Sequence, residues 1–386
     1  MNNFKEWLKI RLSRALAPEI DQQLGVNQKL EEVRLYGIAP WYQENFWEPT
    51  VQLALRDLCR PGDIVFDVGA NFGGLTTVMS RMVGPRGVVC AFEASPRIVD
   101  KCQRNLVLSG CNNVQLFHAA VYYKSYSTVP IYLGSHLNDS IYTNSEQENA
   151  AYQVSTIALD DFVEHTGLVP NFVKMDIEGA EFDAIKGMTK TINSAKPHLI
   201  LETQPDDTNC LDFLREAGYI AIDLNTYKVI ETPQDYPQGV GIRNNLYIHR
   251  DRLSEVAYNP PFNFREVATV NTSDFQKKND GSIALKTPLI LDRGRYLIDV
   301  DFTAQGTNND LTCGVSIGEK VIFRYHAYSN LLASSYRDWV IHLSETSKVS
   351  LYFNFLNGTS DETLSIKGAK ITEITNFQDL PTNLYV

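Results

Sequence analysis

Residues 63–74, DIVFDVGANFGG, constrain this chain more than any other stretch, because an apolar run of strand length ends in a glycine-rich turn that opens a helix. Ile64, Val65, Phe66 and Val68 form a run too short for a helix and suited to a central parallel strand buried on both faces. Gly69 permits the tight turn, and Gly73 is expected to let the helix start lie close to a ligand, since neither carries a Cβ. The helix GLTTVMSRMV follows, with Gly84 and Pro85 placed to stop it. A second apolar strand, VVCAF, leads into Glu93, 20 positions after Gly73. An acid at the tip of the second strand can meet the two vicinal hydroxyls of a ribose with its two oxygens.

The glycine spacing narrows the ligand. A dinucleotide fingerprint has glycine at its first, third and sixth positions, the third so that backbone can approach a pyrophosphate. Here Gly69, Asn71 and Gly74 stand at those positions. A side chain at the third argues against NAD or FAD and suits a cofactor without a pyrophosphate, such as S-adenosylmethionine. No Gly-x-x-x-x-Gly-Lys-Ser/Thr occurs, which excludes a P-loop.

Five blocks then follow one another in order: Asp67-Val68-Gly69-Ala70-Asn71-Phe72-Gly73, Ala91-Phe92-Glu93-Ala94-Ser95-Pro96, Asn105-Leu106, Val173-Lys174-Met175-Asp176-Ile177-Glu178-Gly179-Ala180-Glu181, and Leu201-Glu202. Together they resemble the FkbM-type S-adenosylmethionine-dependent methyltransferases over roughly residues 45 to 250. The resemblance implies a class I methyltransferase fold, a Rossmann-like seven-strand sheet with helices on both faces. It also implies methylation of hydroxyl groups, on sugars of surface polysaccharides or on secondary metabolites. Cofactor contacts are expected from Asp67, Gly69, Ala70, Asn71, Gly73, Glu93, Ala94, Ser95, Ala119, Ala120 and Asp176. Two departures are visible: Ala94 replaces the usual proline after the acid, and about 130 residues follow the family region.

The strand pattern agrees with an α/β sheet. Strands fit 63–68, 88–92, 114–118, 172–176, 198–202, 219–223 and 244–248, alternating with helices. Asp67, Glu93, Asp176 and Glu202 all fall at strand ends, and open sheets bind ligands beyond the carboxyl ends of their strands. Residues 122–154 interrupt the alternation with a polar, tyrosine-rich insertion (Tyr122, Tyr123, Tyr126, Tyr132, Tyr142, Tyr152) that is expected to cover the substrate. The organisation expected is an N-terminal helical segment over 1–45, the methyltransferase domain over 46–252 and a β-sandwich over 264–378. In the first helix Lys5, Lys9, Arg11 and Arg14 against Glu6 give a net +3, and it could lie on an anionic membrane. Arg11 among its apolar positions blunts that face, so docking on the protein's own surface is preferred. Trp41 to Trp47 reads equally as aromatic core or as a border of the cofactor cleft.

Past Pro260-Pro261 the period changes to two. ALKTPLIL, RYLIDVDFTAQ, LTCGVSIG, KVIFRYHAYS, DWVIHLSE, KVSLYFNFL and TLSIKGAKITEI alternate apolar and polar residues with turn residues between them, as in a jelly-roll-like sandwich. Such a domain could bind glycan, with Tyr325, Tyr328, Tyr336 and Trp339 as exposed-aromatic candidates although alternating aromatics are more often core, or it could mediate oligomerisation. A net charge of −11 speaks against a nucleic-acid partner, which needs a surplus of Lys and Arg. Six cysteines without a Cys-x-x-Cys pair read as reduced core residues, and no membrane span or signal peptide is recognisable, so the cytoplasm is the expected location.

An alcohol is a weak nucleophile and needs a general base or a metal to activate it. Asp176 is the best-placed acid, followed by Glu178, Glu181 and Glu202. Glu178 and Glu181 could equally be an acidic helix N-terminus with no catalytic duty. Asp176 and Glu202 could share a divalent cation such as Mg²⁺, although no third ligand completes the set and a metal-free base is favoured. His118, His136 and His198 are alternative bases, His198 reading as structural. The reading is an O-methyltransferase acting on a hydroxyl of a carbohydrate acceptor. The rivals are methylation of a small secondary metabolite and a noncatalytic glycan-binding or scaffold protein that keeps the cofactor fold.

Overall fold

The structure is a computed structural model that describes residues 20–25, 30–35, 48–133, 139–142, 152–238, 240–256, 258, 260–305, 311–327, 339–355, 363–375 and 377. Its first strands, β1 (Ile20–Gly25) and β2 (Leu30–Leu35), pair antiparallel. This corrects the helical expectation over 1–45 at residues 20–25 and 30–35. Val33 and Leu35 alternate with Glu32 and Arg34, which favours strand over helix. The helix expected before residue 20 and the cluster Trp41 to Trp47 lie outside the described residues.

The α/β part begins with α1 (Pro49–Leu58), β3 (Ile64–Val68), α2 (Gly74–Val83), β4 (Val88–Glu93), α3 (Pro96–Leu108) and β5 (Val114–His118). The inserted strands β6 (Ala120–Val121), β7 (Thr128–Ile131) and β8 (Tyr152–Ile157) form a small separate sheet. Then come α4 (Leu159–Thr166), β9 (Phe172–Met175), α5 (Glu181–Lys186), α6 (Thr189–Ala195), β10 (His198–Thr203), α7 (Asn209–Glu216), β11 (Tyr219–Asp223), β12 (Val229–Ile230) and β13 (Arg243–His249). The main sheet runs β12-β11-β13-β10-β9-β3-β4-β5. β3, β4, β5, β9 and β10 are parallel, and β13 is antiparallel to both its neighbours. All seven expected strands are present, with β12 as a short addition.

Gly69 and Gly73 both have positive φ, 85° and 83°. At Gly69 a Cβ would lie 1.8 Å from the Asp176 carbonyl oxygen, so glycine lets β3 and β9 end side by side. At Gly73 a Cβ would meet Cys102 Sγ at 3.2 Å and Leu106 at 3.3 Å. Gly73 thus makes a close approach to α3.

The C-terminal part holds β14 (Phe264–Asn271), β15 (Phe275–Lys277), β16 (Ile283–Leu285), β17 (Leu289–Leu291), β18 (Gly294–Gln305), β19 (Leu311–Ile317), β20 (Lys320–Ala327), β21 (Trp339–Leu343), β22 (Ser347–Phe355) and β23 (Thr363–Ile374). They form two antiparallel sheets, β14-β23-β18-β21 and β15-β16-β22-β19-β20, with β17 beside β22. Between the sheets lie Ile298, Val300, Phe302 and Ile341 from one and Cys313, Val315, Leu351 and Phe353 from the other. Trp339, expected as an exposed aromatic, is fully buried in this core, because the alternation along β21 turns Trp339, Ile341 and Leu343 inward together. Of the other candidates, Tyr328 and Tyr336 lie outside the described residues, as does the side chain of Tyr325.

The opposite face of the first sheet is not free. Leu297, Val340 and Ile374 pack with Leu53, Tyr227, Tyr258 and Phe262 in one cluster with the α/β part. Arg295, 1% exposed, sits at its centre. Its guanidinium pairs with Asp57 of α1 at 2.7 Å, donates to the Tyr227 hydroxyl at 2.7 Å and lies 4.0 Å from the Phe377 ring centroid. Tyr258 donates to Asp57 at 3.1 Å. Burial works against ionisation of Asp57, yet the neighbouring Arg295 and Arg56 hold its carboxyl below the usual range. Pro260-Pro261 thus separates two sequence patterns, while the packed interior runs across them.

Candidate active site

Period-two alternation gathers the charges. Val65, Phe172 and Ile200 point to the face of the sheet packed by α1 and α2, and two residues further along the same strands stand Asp67, Lys174 and Glu202. Asp67 is directly beside Lys174 in the β3–β9 register, and Leu201 beside Met175 sets Asp176 next to Glu202. Lys174 is 3% exposed and donates to Asp176 Oδ2 at 3.0 Å. Burial disfavours its charge, but Asp176, Glu48 and Asp67 around it raise its pKa well above the ordinary value.

Asp176 and Glu202 are driven apart in charge. Burial opposes ionisation of Asp176, but Lys174 and hydrogen bonds from Glu202 and Lys174 hold its carboxyl below the usual range. Glu202 is pushed up to about 10, by burial first and then by the charges of Asp176 and Glu48. At neutral pH Glu202 is therefore a neutral partner hydrogen-bonded to an anionic Asp176. Glu48, at the N-cap of α1 with φ 39°, is pushed up to about 7 by burial, with Lys174 opposing. Its Oε2 and Asp67 Oδ1 are buried without a hydrogen-bond partner among the described residues.

Beside this cluster a cleft opens at the carboxyl ends of the strands. Of the residues expected at the site, Gly69, Asn71, Glu93, Ala94, Ala119, Ala120, Asp176 and Glu178 line it. Asp67, Ala70, Gly73, Ser95, Glu181 and Glu202 are not among its lining residues. Glu93 accepts the backbone N–H of Asn71 at 2.8 Å on Oε2 and that of Ser95 at 2.7 Å on Oε1, which leaves each oxygen a second lone pair. Burial pushes it up to about 7 against those two hydrogen bonds. Asn71, at the third glycine position, has φ 50°, a conformation Asn tolerates. Thr76 donates to Asp67 and ties α2 to β3.

Glu178 and Glu181 part company. Glu178 lines the cleft with φ 55°, and burial together with Asp176 and Glu181 pushes it up to about 7. Glu181 is 5% exposed and folds back to accept from the backbone N–H of Ile177 at 2.9 Å and of Gly179 at 3.3 Å. It holds the turn through these two hydrogen bonds. The insertion reaches the cleft through Ile131, Asp139 and Ile141. Asp139 is gripped by Arg97 and by Ser95 Oγ, at 2.6 Å from the latter, and Ser140 Oγ donates to the Glu178 carbonyl at 2.9 Å. His118 contacts the Ala94 carbonyl at 3.2 Å. His198 is buried at the start of β10, away from the cleft, with its pKa lowered to about 3 by burial and by Arg252 and Arg60. His136 lies outside the described residues.

These residues fit an adenosine-type cofactor without a pyrophosphate: a fastened acid at the second strand end, and an apolar slot from Ile98, Val121, Ile131 and Ile141. They do not fit a divalent cation. Asp176 already holds an ammonium group, Glu202 keeps its proton, and no cluster of three candidate ligands occurs among the described residues. Lys174, Glu48 and Asp139 were not foreseen as site residues. Lys174 had a signal, a lysine inside a four-residue strand that is otherwise apolar, since a buried ammonium requires partners.

The sheet order, with an antiparallel strand inserted beside the fifth, and an acid at the second strand end define a cofactor-binding domain of the class I methyltransferase type. Residues 67–221 match the Methyltransferase FkbM domain family, and this part of the chain is an FkbM methyltransferase domain. Methyltransferase 1 of Beauveria bassiana is 28% identical over 147 residues, 32% of this chain, and the match spans 57% of that relative's length. Hexuronic acid methyltransferase AglP of Haloferax volcanii is 25% identical over 201 residues, 49% of this chain and 76% of its own. The crystal structure of methyltransferase FkbM from Methylobacillus flagellatus superposes with a TM-score of 0.33 at 17% identity, over 49% of this chain and 44% of that one.

Proposed function

We propose that this chain is an S-adenosylmethionine-dependent O-methyltransferase acting on a hydroxyl of a carbohydrate acceptor. The observation that carries the reading is the pair of acids at the cleft with opposed titration, Asp176 held anionic and Glu178 poised near pH 7. When bound, S-adenosylmethionine supplies a methyl group already activated by a sulfonium. The protein's own task is to hold an acceptor hydroxyl in line and take its proton. Asp176 accepts the hydrogen bond of the hydroxyl and orients it. Glu178 takes the proton, because a base works best with a pKa near the working pH. Glu93 accepts the ribose hydroxyls, Glu202 and Lys174 hold Asp176 in place, and Glu181 holds the turn that carries Glu178.

A sugar acceptor is supported by the name of the Haloferax relative, a hexuronic acid methyltransferase. The reading includes jelly-roll connectivity and an oligomerising or glycan-holding role for the sandwich, and a cytoplasmic location; no helix among the described residues is long and apolar enough to cross a membrane. Production of S-adenosylhomocysteine in a screen of nucleotide sugars and oligosaccharides tests it, and a screen in which only small non-sugar alcohols react would overturn the acceptor class. Turnover should persist in EDTA. It should rise with pH through about 7 as Glu178 loses its proton, and Glu178→Gln should abolish that rise with a loss of about 10²-fold or more. An unchanged pH profile in the variant would remove Glu178 as the base.

A further inference from the structure

We propose that the outer face of the second sandwich sheet carries a binding site for a neutral saccharide ring, with Tyr352 as its platform. Leu311, Cys313 and Val315 of β19 and Val349, Leu351 and Phe353 of β22 point into the sandwich core, so Thr312, Gly314, Ser316, Tyr352 and Asn354 share the opposite face. The first sheet, not this one, packs against the methyltransferase part through Arg295, Leu297 and Val340. The face therefore looks away from the catalytic cleft, and a groove lies open along it.

The groove has a built floor. In the register of the three adjacent strands Tyr352 of β22, Gly314 of β19 and Arg324 of β20 stand in one row. A Cβ on Gly314 would lie 2.1 Å from the Phe323 carbonyl oxygen and 3.0 Å from Tyr352 Oη. The tyrosine hydroxyl thus lies over the glycine, and the residue lines the groove. Its Oη finds no hydrogen-bond partner among the described residues, so its contribution at this position is the ring. In the next row Asn354 stands beside Thr312, and Ser316 lines the groove on the other side.

The chemistry around the ring selects the ligand class. Lys278 and Arg324 are matched in the lining by Asp280 and Glu319, so there is no surplus charge for a phosphate or a polyanion. The amide of Asn354 and the hydroxyls of Ser282, Thr312 and Ser316 line the groove together with the one aromatic side chain. That combination suits a ring with C–H groups on one side and hydroxyls at its rim, which is a sugar. A site facing away from the catalytic part would hold a glycan chain near the enzyme without occupying the acceptor position.

The test uses the full chain, labelled, on an array printed with neutral, uronic-acid and sulfated oligosaccharides, followed by calorimetry on the neutral ones retained. Binding is read without methyl transfer, so its outcome is separate from that of the acceptor assignment. Tyr352→Ala and Asn354→Ala should each weaken binding at least tenfold, and Tyr352→Phe should stay within about twofold. S-adenosylhomocysteine affinity should be unchanged in all three. If Tyr352→Ala fails to fold, as lost cofactor binding would reveal, Asn354→Ala decides. Retention of sulfated glycans alone, retention of none, or equal loss in the Phe and Ala variants would overturn the proposal.

Discussion

Glu93 joins two tasks in one side chain. Its oxygens already accept from Asn71 and Ser95, which fixes the carboxylate across the glycine-rich turn, and the residue lines the cleft. Glu93→Ala removes up to two charge-assisted hydrogen bonds to the ribose, about 1.5–3 kcal/mol each. Calorimetry should show S-adenosylhomocysteine binding weakened at least tenfold, and unchanged affinity would end the ribose assignment. Asp176→Asn, in contrast, keeps the shape and loses the charge that pairs with Lys174. Turnover should fall about 10²-fold through lost orientation of the acceptor, while cofactor affinity changes much less. A variant with parental turnover would remove Asp176 from the mechanism.

At the scale of elements, the site depends on how closely β3 and β9 end together. Gly69 carries that contact, since its missing Cβ leaves room for the Asp176 carbonyl. Gly69→Ala adds roughly 1–2 kcal/mol of left-handed backbone cost to a clash at 1.8 Å that forces the strand ends apart. Cofactor binding should be lost and the melting temperature lowered; a variant that binds S-adenosylhomocysteine normally would show that the strand ends have slack. The seven strands were legible because buried parallel strands read as apolar runs. The hairpin β1–β2 and the strands β14 and β15 were not, because their sequences are rich in polar residues, β15 is three residues long, and β14 pairs with β23 far along the chain.

For the whole molecule, the shared interior changes what a truncation would do. A chain ended at residue 259 would leave Asp57 buried without the Arg295 guanidinium and would expose Leu53, Tyr227 and Tyr258, which Val340 and Ile374 now cover. It should not melt cooperatively. Arg295→Met in the full chain should cost about 3–5 kcal/mol, the usual result of removing one partner of a buried ion pair, read by denaturant unfolding. A truncated chain that melts cooperatively and binds S-adenosylhomocysteine like its parent would show two independent cores.

Local pattern determined what is local: the strand-turn-helix around Gly69, the acid at the tip of β4, Asn71 in place of glycine at the third fingerprint position and the change of period after Pro260-Pro261 can each be read within a dozen residues. Tertiary structure decided which charges meet. Lys174 compensates Asp176 and Glu202 shares its proton because β3, β9 and β10 lie side by side in one register, and Glu48 joins them from a helix more than a hundred residues earlier. It also decided that Glu181 caps a turn whereas Glu178 faces the cleft, and that Trp339 lies in the core whereas Tyr352 lies on a face. Whether a charge is paired, and therefore which proton it holds, depends on neighbours distant in the chain.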